Sequence, residues 1–574
     1  MSDQNGLSRS GTFFGESGVA GFTHRAFTKA MGFGDEDMSR PVIGICNTYS
    51  ELNNCHRNLR DVAEAVKRGV WQAGGFPLEF PTISLGEIFL NPTSMLYRNL
   101  AAMDTEEMIR AQPLDGVVLL ANCDKTTPAA LMGAASADLP AILVSGGPML
   151  NGRFGDQTLG ACTDCRRLTA EHRAGTLDTA TYRAIEDGIV RSTGHCMVMG
   201  TASTMNSLAE ALGVALPGNG AIPAPDARRL RLAEAAGRRI VALVESDVRP
   251  SQIMTRAAFE NAIVLFNALG GSTNAIVHLP AIAGRLGIDL PLSLFDEISR
   301  RVPLIANMRP SGKYQMEELF YAGGIPAVLR QLLPLLHGDA PTVTGRTLAE
   351  NVQDAQIYNT DVIRPLNNPL QPEGGTAVLR GNLAPDGAVI KHAAATPRLL
   401  QHTGRAVVFR DMADLRERLD DPNLDVAPDD VLVLQNVGPV GGPGMPEVGN
   451  FPVPAKLLKQ GVRDMVRISD ARMSGTAFGT IVLHVAPESA VGGPLALVRD
   501  GDRIELDVAA RRLHLHVSDD ELAVRRAAWQ PPAPAFTRGY GRLYLEQVNQ
   551  APLGCDFAFL RGADPVQATV QPKF

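Results

Sequence analysis

Nothing in this chain of 574 residues supplies a basic surface: 54 Lys and Arg stand against 61 Asp and Glu, a net charge of −7. Nucleic-acid binding gains no support from that balance, and isolated pairs such as Arg228-Arg229 and Arg238-Arg239 read as solvated helix faces. No uninterrupted apolar run reaches the length of a membrane span. The segment Met1-Ser2-Asp3-Gln4-Asn5-Gly6 lacks the charged start and apolar core of a signal peptide, so a cytoplasmic protein is expected. Internal repeats and long low-complexity tracts are missing. The glycine-rich stretch 438–444 has no P-loop lysine, and no Gly-x-Gly-x-x-Gly follows a strand. Cysteine is scarce: Cys46, Cys55, Cys123, Cys162, Cys165, Cys196 and Cys555 are an odd, scattered set. Such a set argues against a disulfide framework and leaves metal binding open.

What is present describes a large globular protein. Apolar residues make up 45% and charged residues 20%, and the length exceeds what one hydrophobic core sustains, so at least two domains are expected. Residues 41–47 read as a first buried strand. Leu59, Val62, Ala63, Val66 and Val70 then fall at helical spacing, stopped by Gly74-Gly75. Val117-Val118-Leu119-Leu120 is a second short apolar run. Thr127-Pro128 predicts an N-cap and a helix to about Ala137, leading to Ala141-Ile142-Leu143-Val144. That is a βαβ unit with a right-handed crossover. Residues 200–350 are mostly helical in pattern. The breaker-rich run 366–375 is the best linker. Beyond it Ile504, Leu506 and Val508 alternate, as do Leu513, Leu515 and Val517, which predicts a hairpin of a sandwich or barrel. The expectation is an α/β domain with a parallel sheet over residues 1–370 and a smaller β-barrel-like domain over 371–574, the active site between them.

The chemistry concentrates where strands end. Asn122-Cys123-Asp124-Lys125-Thr126-Thr127-Pro128 sets a soft thiolate beside a hard carboxylate at a strand's carboxyl end, where ligands collect in open α/β sheets. Two unlike metals sharing one substrate, or a plain turn with a buried thiol, both fit. Cys55 and Cys196 sit in similar polar or small-residue loops. Three thiolates from separate loops can hold an iron–sulfur cluster with one iron position open; buried cysteines also serve as small hydrophobes. Glu87 and Glu447 can meet a cation or stay solvated loop charges. Arg472-Met473-Ser474-Gly475-Thr476 reads as a turn whose hydroxyls bond the backbone, and it is not a Gly-x-Ser-x-Gly elbow. Cys162-Thr163-Asp164-Cys165, the one Cys-x-x-Cys, reads as a polar surface loop.

Five segments resemble the dihydroxy-acid and sugar-acid dehydratase family: Gly44-Ile45-Cys46-Asn47-Thr48, the 122–128 stretch, Val144-Ser145-Gly146-Gly147-Pro148-Met149, Gly271-Ser272-Thr273-Asn274 and 469–476. The likeness runs over nearly the whole chain. Ser84-Leu85-Gly86-Glu87, Asn91-Pro92-Thr93-Ser94-Met95 and Ser311-Gly312-Lys313-Tyr314 are similar to the pentonate branch, which acts on L-arabinonate and related aldonic acids. The resemblance implies a 2Fe–2S cluster on Cys55, Cys123 and Cys196. It also implies Mg²⁺ on Glu87, Asp124, Glu447 and a carbamylated Lys125, with Ser474 as base and Thr476 beside it. Implied too are a homodimer or homotetramer and a hydro-lyase reaction giving a 2-keto-3-deoxy acid. The alternatives are a dihydroxy-acid dehydratase of branched-chain amino-acid synthesis, an iron–sulfur electron carrier and a structural zinc protein. Cys162 and Cys165 receive no role.

Overall fold

The computed structural model describes residues 9–562; Met1 to Gly6, where no signal-peptide pattern is read, lie outside them. Four strands, β1 (Val42–Asn47), β2 (Phe76–Pro81), β3 (Gly116–Leu120) and β4 (Ala141–Val144), form a parallel sheet in the order β2-β1-β3-β4. β1, β3 and β4 are buried along their whole length, as helices on both faces require. Leaving β1 the chain crosses to β2, and leaving β2 it crosses back past β1 to β3. Right-handed crossovers then put the helix Leu59–Gln72 on one face and the helices Arg98–Ala111 and Thr126–Ala137 on the other. The direction reverses between β1 and β3, and a crevice opens beyond the carboxyl ends of those two strands.

The predicted elements stand close to their places. The helix after β1 buries Leu59, Val62, Ala63, Val66 and Val70 on one stripe, and Gly74 leaves it at φ +83°. One boundary differs: the helix after β3 begins at Thr126, with Lys125 as its N-cap residue. Thr127 is therefore inside the first turn rather than the cap, and its hydroxyl donates to Asn206 Oδ1 at 3.1 Å instead. A small hairpin, β5 (Gly152–Phe154) and β6 (Gln157–Leu159), follows the sheet. Helices fill most of residues 200–350, including Thr201–Ala211, Ala227–Glu245, Arg256–Ala268 and Ala275–Arg285.

The remaining strands are β7 (Ala377–Gly381), β8 (Ala384–Ile390), β9 (Gln401–Phe409), β10 (Val431–Leu434), β11 (Arg467–Ser469), β12 (Ile481–Ala486), β13 (Arg503–Asp507) and β14 (Arg512–Leu515). They close into an eight-stranded barrel in the order β10-β11-β12-β8-β7-β14-β13-β9. The alternating pattern at 504–517 is the β13–β14 hairpin, with Ile504 opposite Leu515 and Leu506 opposite Leu513. Closure leaves no sheet edge unpaired. β9, β10, β11 and β12 are mutually parallel, so the loops after β10 and β11 leave the barrel at the same end. Those loops carry Glu447 and Ser474.

Candidate active site

Carboxyl ends of strands from both halves of the molecule converge on one buried lysine. Lys125 lies at the end of β3 and is fully buried. Its Nζ stands 2.7 Å from Asp124 Oδ2, 3.0 Å from Glu447 Oε1 and 3.2 Å from Glu87 Oε2. Glu87 comes from the loop after β2 and Glu447 from the loop after β10. Burial alone would lower the Lys125 amine, but Asp124, Glu447 and Glu87 raise it above its ordinary range. Burial likewise pushes Glu447 up, yet Lys125 and Arg472 outweigh it and leave the carboxyl at about 2. Asp124 is raised, first by burial and then, against Lys125, by its two carboxylate neighbours. Buried charges survive only when paired, and here one ammonium serves three carboxylates.

Each carboxylate is aimed by further bonds. Glu87 Oε1 accepts from Thr93 Oγ1 at 2.9 Å, and Oε2 accepts from the Ser94 backbone N–H at 3.0 Å. Arg472 Nη1 donates to Glu447 Oε1 and to Asn274 Oδ1, both at 3.0 Å. Asn274 Nδ2 reaches Thr201 Oγ1, Glu447 Oε1 and the Met473 carbonyl at 2.7, 2.9 and 3.2 Å. One amide therefore ties the segment after Cys196, the β10 loop and the residue before Ser474. Gly444, at φ +88°, lets the β10 loop reach this place: a Cβ there would lie 2.6 Å from Leu96 N.

Ser474 Oγ is 2.7 Å from Thr476 Oγ1. Arg166 Nη1 donates to Thr476 Oγ1 at 3.1 Å. The turn has no room for another side chain at its centre. A Cβ on Gly475 would meet Ser272 Cβ at 2.5 Å and Thr201 N at 2.9 Å.

The thiols of Cys55, Cys123 and Cys196 come together beside Asp124. Hydrogen bonding to Cys123, then burial, then the charges of Cys123 and Cys196 raise the Cys55 thiol well above its ordinary value. Cys196 is raised well above it too, first by hydrogen bonding to Cys162 and then by burial. Cys162 is half-buried and Cys165 exposed, and the helix Thr163–Arg173 begins directly after Cys162. Every cysteine is a free thiol.

Side chains without a sequence signal hold the thiol loops. His56 is buried and kept neutral, its pKa lowered by burial to about 4. Its Nε2 accepts from Cys123 N at 3.0 Å, from Asn122 N at 3.3 Å and pairs with Thr126 Oγ1 at 2.9 Å. Asn122 Nδ2 donates to Cys55 O at 2.7 Å and Gly147 O at 3.0 Å, and its Oδ1 accepts from Gly147 N at 2.9 Å. His195 N in turn donates to Gly147 O at 3.0 Å. Asn122, Asn274 and Arg472 fall inside motif segments; only contacts across the fold reveal what they hold.

The donor set suits two different groups. Three thiols with no disulfide among them match the soft ligands of an iron–sulfur cluster, whereas three carboxylates gathered on a cation match magnesium. Among the described residues no three His, Cys, Asp and Glu side chains are drawn in around a single ion. The Lys125 ammonium is what the carboxylates surround instead.

Known proteins are similar to this chain over most of its length. The model of the dihydroxy-acid/6-phosphogluconate dehydratase N-terminal region matches residues 40–351, and that of the C-terminal region matches 361–555. An L-arabinonate dehydratase of Rhizobium leguminosarum bv. trifolii is 54% identical over 96% of this chain and 96% of its own length. A 6-deoxy-6-sulfo-D-gluconate dehydratase of Pseudomonas putida is 50% identical over 97% of each chain. A dihydroxy-acid dehydratase of Syntrophobacter fumaroxidans is 44% identical over 94% of this chain and 97% of its own. Among the described residues no helix is long and apolar enough to cross a membrane. With barrel, parallel sheet and converging loops all inside the matched regions, the chain belongs to the dihydroxy-acid/6-phosphogluconate dehydratase family and is a hydro-lyase.

Proposed function

We propose that this enzyme dehydrates a sugar acid of the pentonate class, such as L-arabinonate or D-xylonate, to the 2-keto-3-deoxy acid. The observation that carries the reading is the Asn274 amide, which joins the Cys196 side, Glu447 and the Ser474 turn into one site. Relatives named for six- and five-carbon sugar acids at 50% and 54% identity favour that substrate class over the branched dihydroxy acids of the relative at 44%.

Cys55, Cys123 and Cys196 would hold a 2Fe–2S cluster, and Glu87, Asp124 and Glu447 a magnesium ion. When bound, these groups supply Lewis acidity to neighbouring oxygens of a 2,3-dihydroxy acid. The proton on carbon 2 falls to Ser474. A free serine hydroxyl is too weakly acidic for that task. Here Ser474 Oγ shares a hydrogen bond of 2.7 Å with Thr476 Oγ1, whose own oxygen accepts from Arg166, and the Thr476 N–H donates to Ser474 Oγ at 3.4 Å. Donors aimed at an oxygen stabilise its deprotonated form. Arg472 and Asn274 fix Glu447 so that its position does not depend on substrate. Lys125 is an ammonium while it pairs with Asp124, Glu87 and Glu447. It becomes able to take up carbon dioxide only once another cation replaces its charge; as a carbamate it would add oxygen ligands.

The test is a screen of aldonic acids on anaerobically purified protein, with detection of 2-keto acid product and 2,3-dihydroxyisovalerate as comparator. Turnover of a pentonate well above the branched acid is the expected result. Preference for 2,3-dihydroxyisovalerate would overturn the substrate assignment.

A further inference from the structure

Lys313, Tyr314 and Gln315 take no part in the dehydration chemistry above. They line one side of a second cavity of about 500 Å³, faced by the β5–β6 hairpin and by the first turns of the helix Thr163–Arg173. That volume suits a small-molecule site. Lys125, Glu447 and Ser474 are not among its lining residues.

Gln315 is the unusual member of this lining. It is 1% exposed, and among the described residues neither Nε2 nor Oε1 of its side chain has a hydrogen-bond partner. Its backbone N–H is used, donating to Glu318 Oε2 at 3.0 Å. Buried side-chain amides are almost always hydrogen-bonded, and each polar atom left bare carries the full loss of its hydration. A free donor and a free acceptor on one amide are matched by a ligand hydroxyl, which accepts and donates at once.

The amide stands among cations. A Cβ on Gly160 would lie 3.4 Å from Gln315 Nε2, and Gly160 N donates to Asp164 Oδ2 at 2.7 Å. Asp164 is shared by Arg167 Nε at 3.0 Å and Arg309 Nη1 at 2.6 Å, and Arg167 Nη1 also reaches Glu171 at 2.8 Å. Glu318, the other carboxylate of the lining, accepts from Asn151 Nδ2 at 2.6 Å. The Lys313 ammonium lies over the Tyr314 ring, 5.0 Å from its centroid, rather than in an ion pair. One cation is thus left for an anion, beside an amide that asks for a hydroxyl.

We propose that this cavity is a second, non-catalytic binding site for a small hydroxy acid, with the carboxylate on Lys313 and Arg309 and a neighbouring hydroxyl on the Gln315 amide. An anion that only accepts hydrogen bonds satisfies the cations and Nε2 but leaves Gln315 Oε1 bare. Recognition rests on the cavity's own groups; the catalytic reading above supplies only the probe, L-arabinonate.

Isothermal titration of full-length Ser474→Ala protein, reconstituted anaerobically with magnesium present, tests the proposal without turnover. L-arabinonate should bind at two sites per chain. Adding Gln315→Leu should weaken one of them about tenfold or more, the worth of one well-placed hydrogen bond. Lys313→Ala, at an exposed side chain whose loss does not threaten folding, should weaken the same site, while Glu447→Gln weakens the other. A single site that neither Gln315→Leu nor Lys313→Ala moves would overturn the second site and leave the catalytic reading standing. So would a Gln315→Leu protein that gains thermal stability and binds as before. A site dependent on Gln315 and Lys313, with none sensitive to Glu447→Gln, would uphold the proposal and count against the catalytic reading. Sodium sulfate binding the Gln315-dependent site as tightly as L-arabinonate would overturn the hydroxy-acid class.

Discussion

Lys125 Nζ and Glu447 Oε1 lie 3.0 Å apart although 322 residues separate them in the chain. The first sits at the end of a parallel sheet strand, the second on a loop leaving the barrel. Their ion pair closes the molecule's two halves over a shared site, so substitutions at either residue act on charge balance and assembly together.

Glu447→Gln keeps the shape and the amide hydrogen-bonding capacity but removes the charge that compensates Lys125 and Arg472. Removing one partner of a buried pair typically costs about 3 kcal/mol or more. Urea unfolding should register that loss, and magnesium-dependent turnover should vanish with it. Unchanged stability would mean that the ion pair is not formed in solution.

Ser474→Ala removes the proposed base together with its two hydrogen bonds to Thr476. Turnover should fall by roughly 10²–10⁴-fold, the usual worth of a positioned acid–base group, while the visible absorbance of the reconstituted protein stays the same. Activity within a few-fold of wild type would assign proton removal to another group.

Gly475→Ala places a methyl group 2.5 Å from Ser272 Cβ and 2.9 Å from Thr201 N. Overpacking of this kind costs about 1–3 kcal/mol, and here it also displaces Ser474. The double variant Gly475→Ala with Ser272→Gly should recover part of the thermal stability, because the two closest contacts, both with the Ser272 side chain, are then gone. No recovery would place the strain elsewhere.

Lys391 lies at the end of β8, fully buried, with no hydrogen-bond partner for its Nζ. Burial lowers its pKa from 10.5 to about 7. Between those two values the unfolded chain binds a proton that the native protein does not, so native stability rises with pH across that window and is lowest below about pH 7. Lys391→Met should therefore stabilise the protein most below pH 7, with the advantage shrinking as pH approaches 10. Urea midpoints at pH 6, 8 and 9.5 measure it; a pH-independent difference would show that the amine is protonated in the native state.

Much of this molecule was legible along the chain. Short apolar runs marked β1, β3 and β4 because strands buried on both faces carry no alternation. The 504–517 region announced its hairpin by strict alternation, though not whether the hairpin belonged to a sandwich or a barrel. The residues gathered round Lys125 and around Cys123 were legible through likeness to a family; spacing alone left each as a solvated charge or a small buried hydrophobe. His56 carried no signal at all, since one histidine beside a cysteine does not say which loop it will hold.

By itself the sequence determined element types and the order of the two architectures, because periodicity is a local property. Only the tertiary structure decided that Lys125 pairs with three carboxylates from three loops and that Asn274 joins both halves. Those relationships depend on distances between residues tens to hundreds of positions apart, and such distances are set by how the sheet and the barrel close on each other.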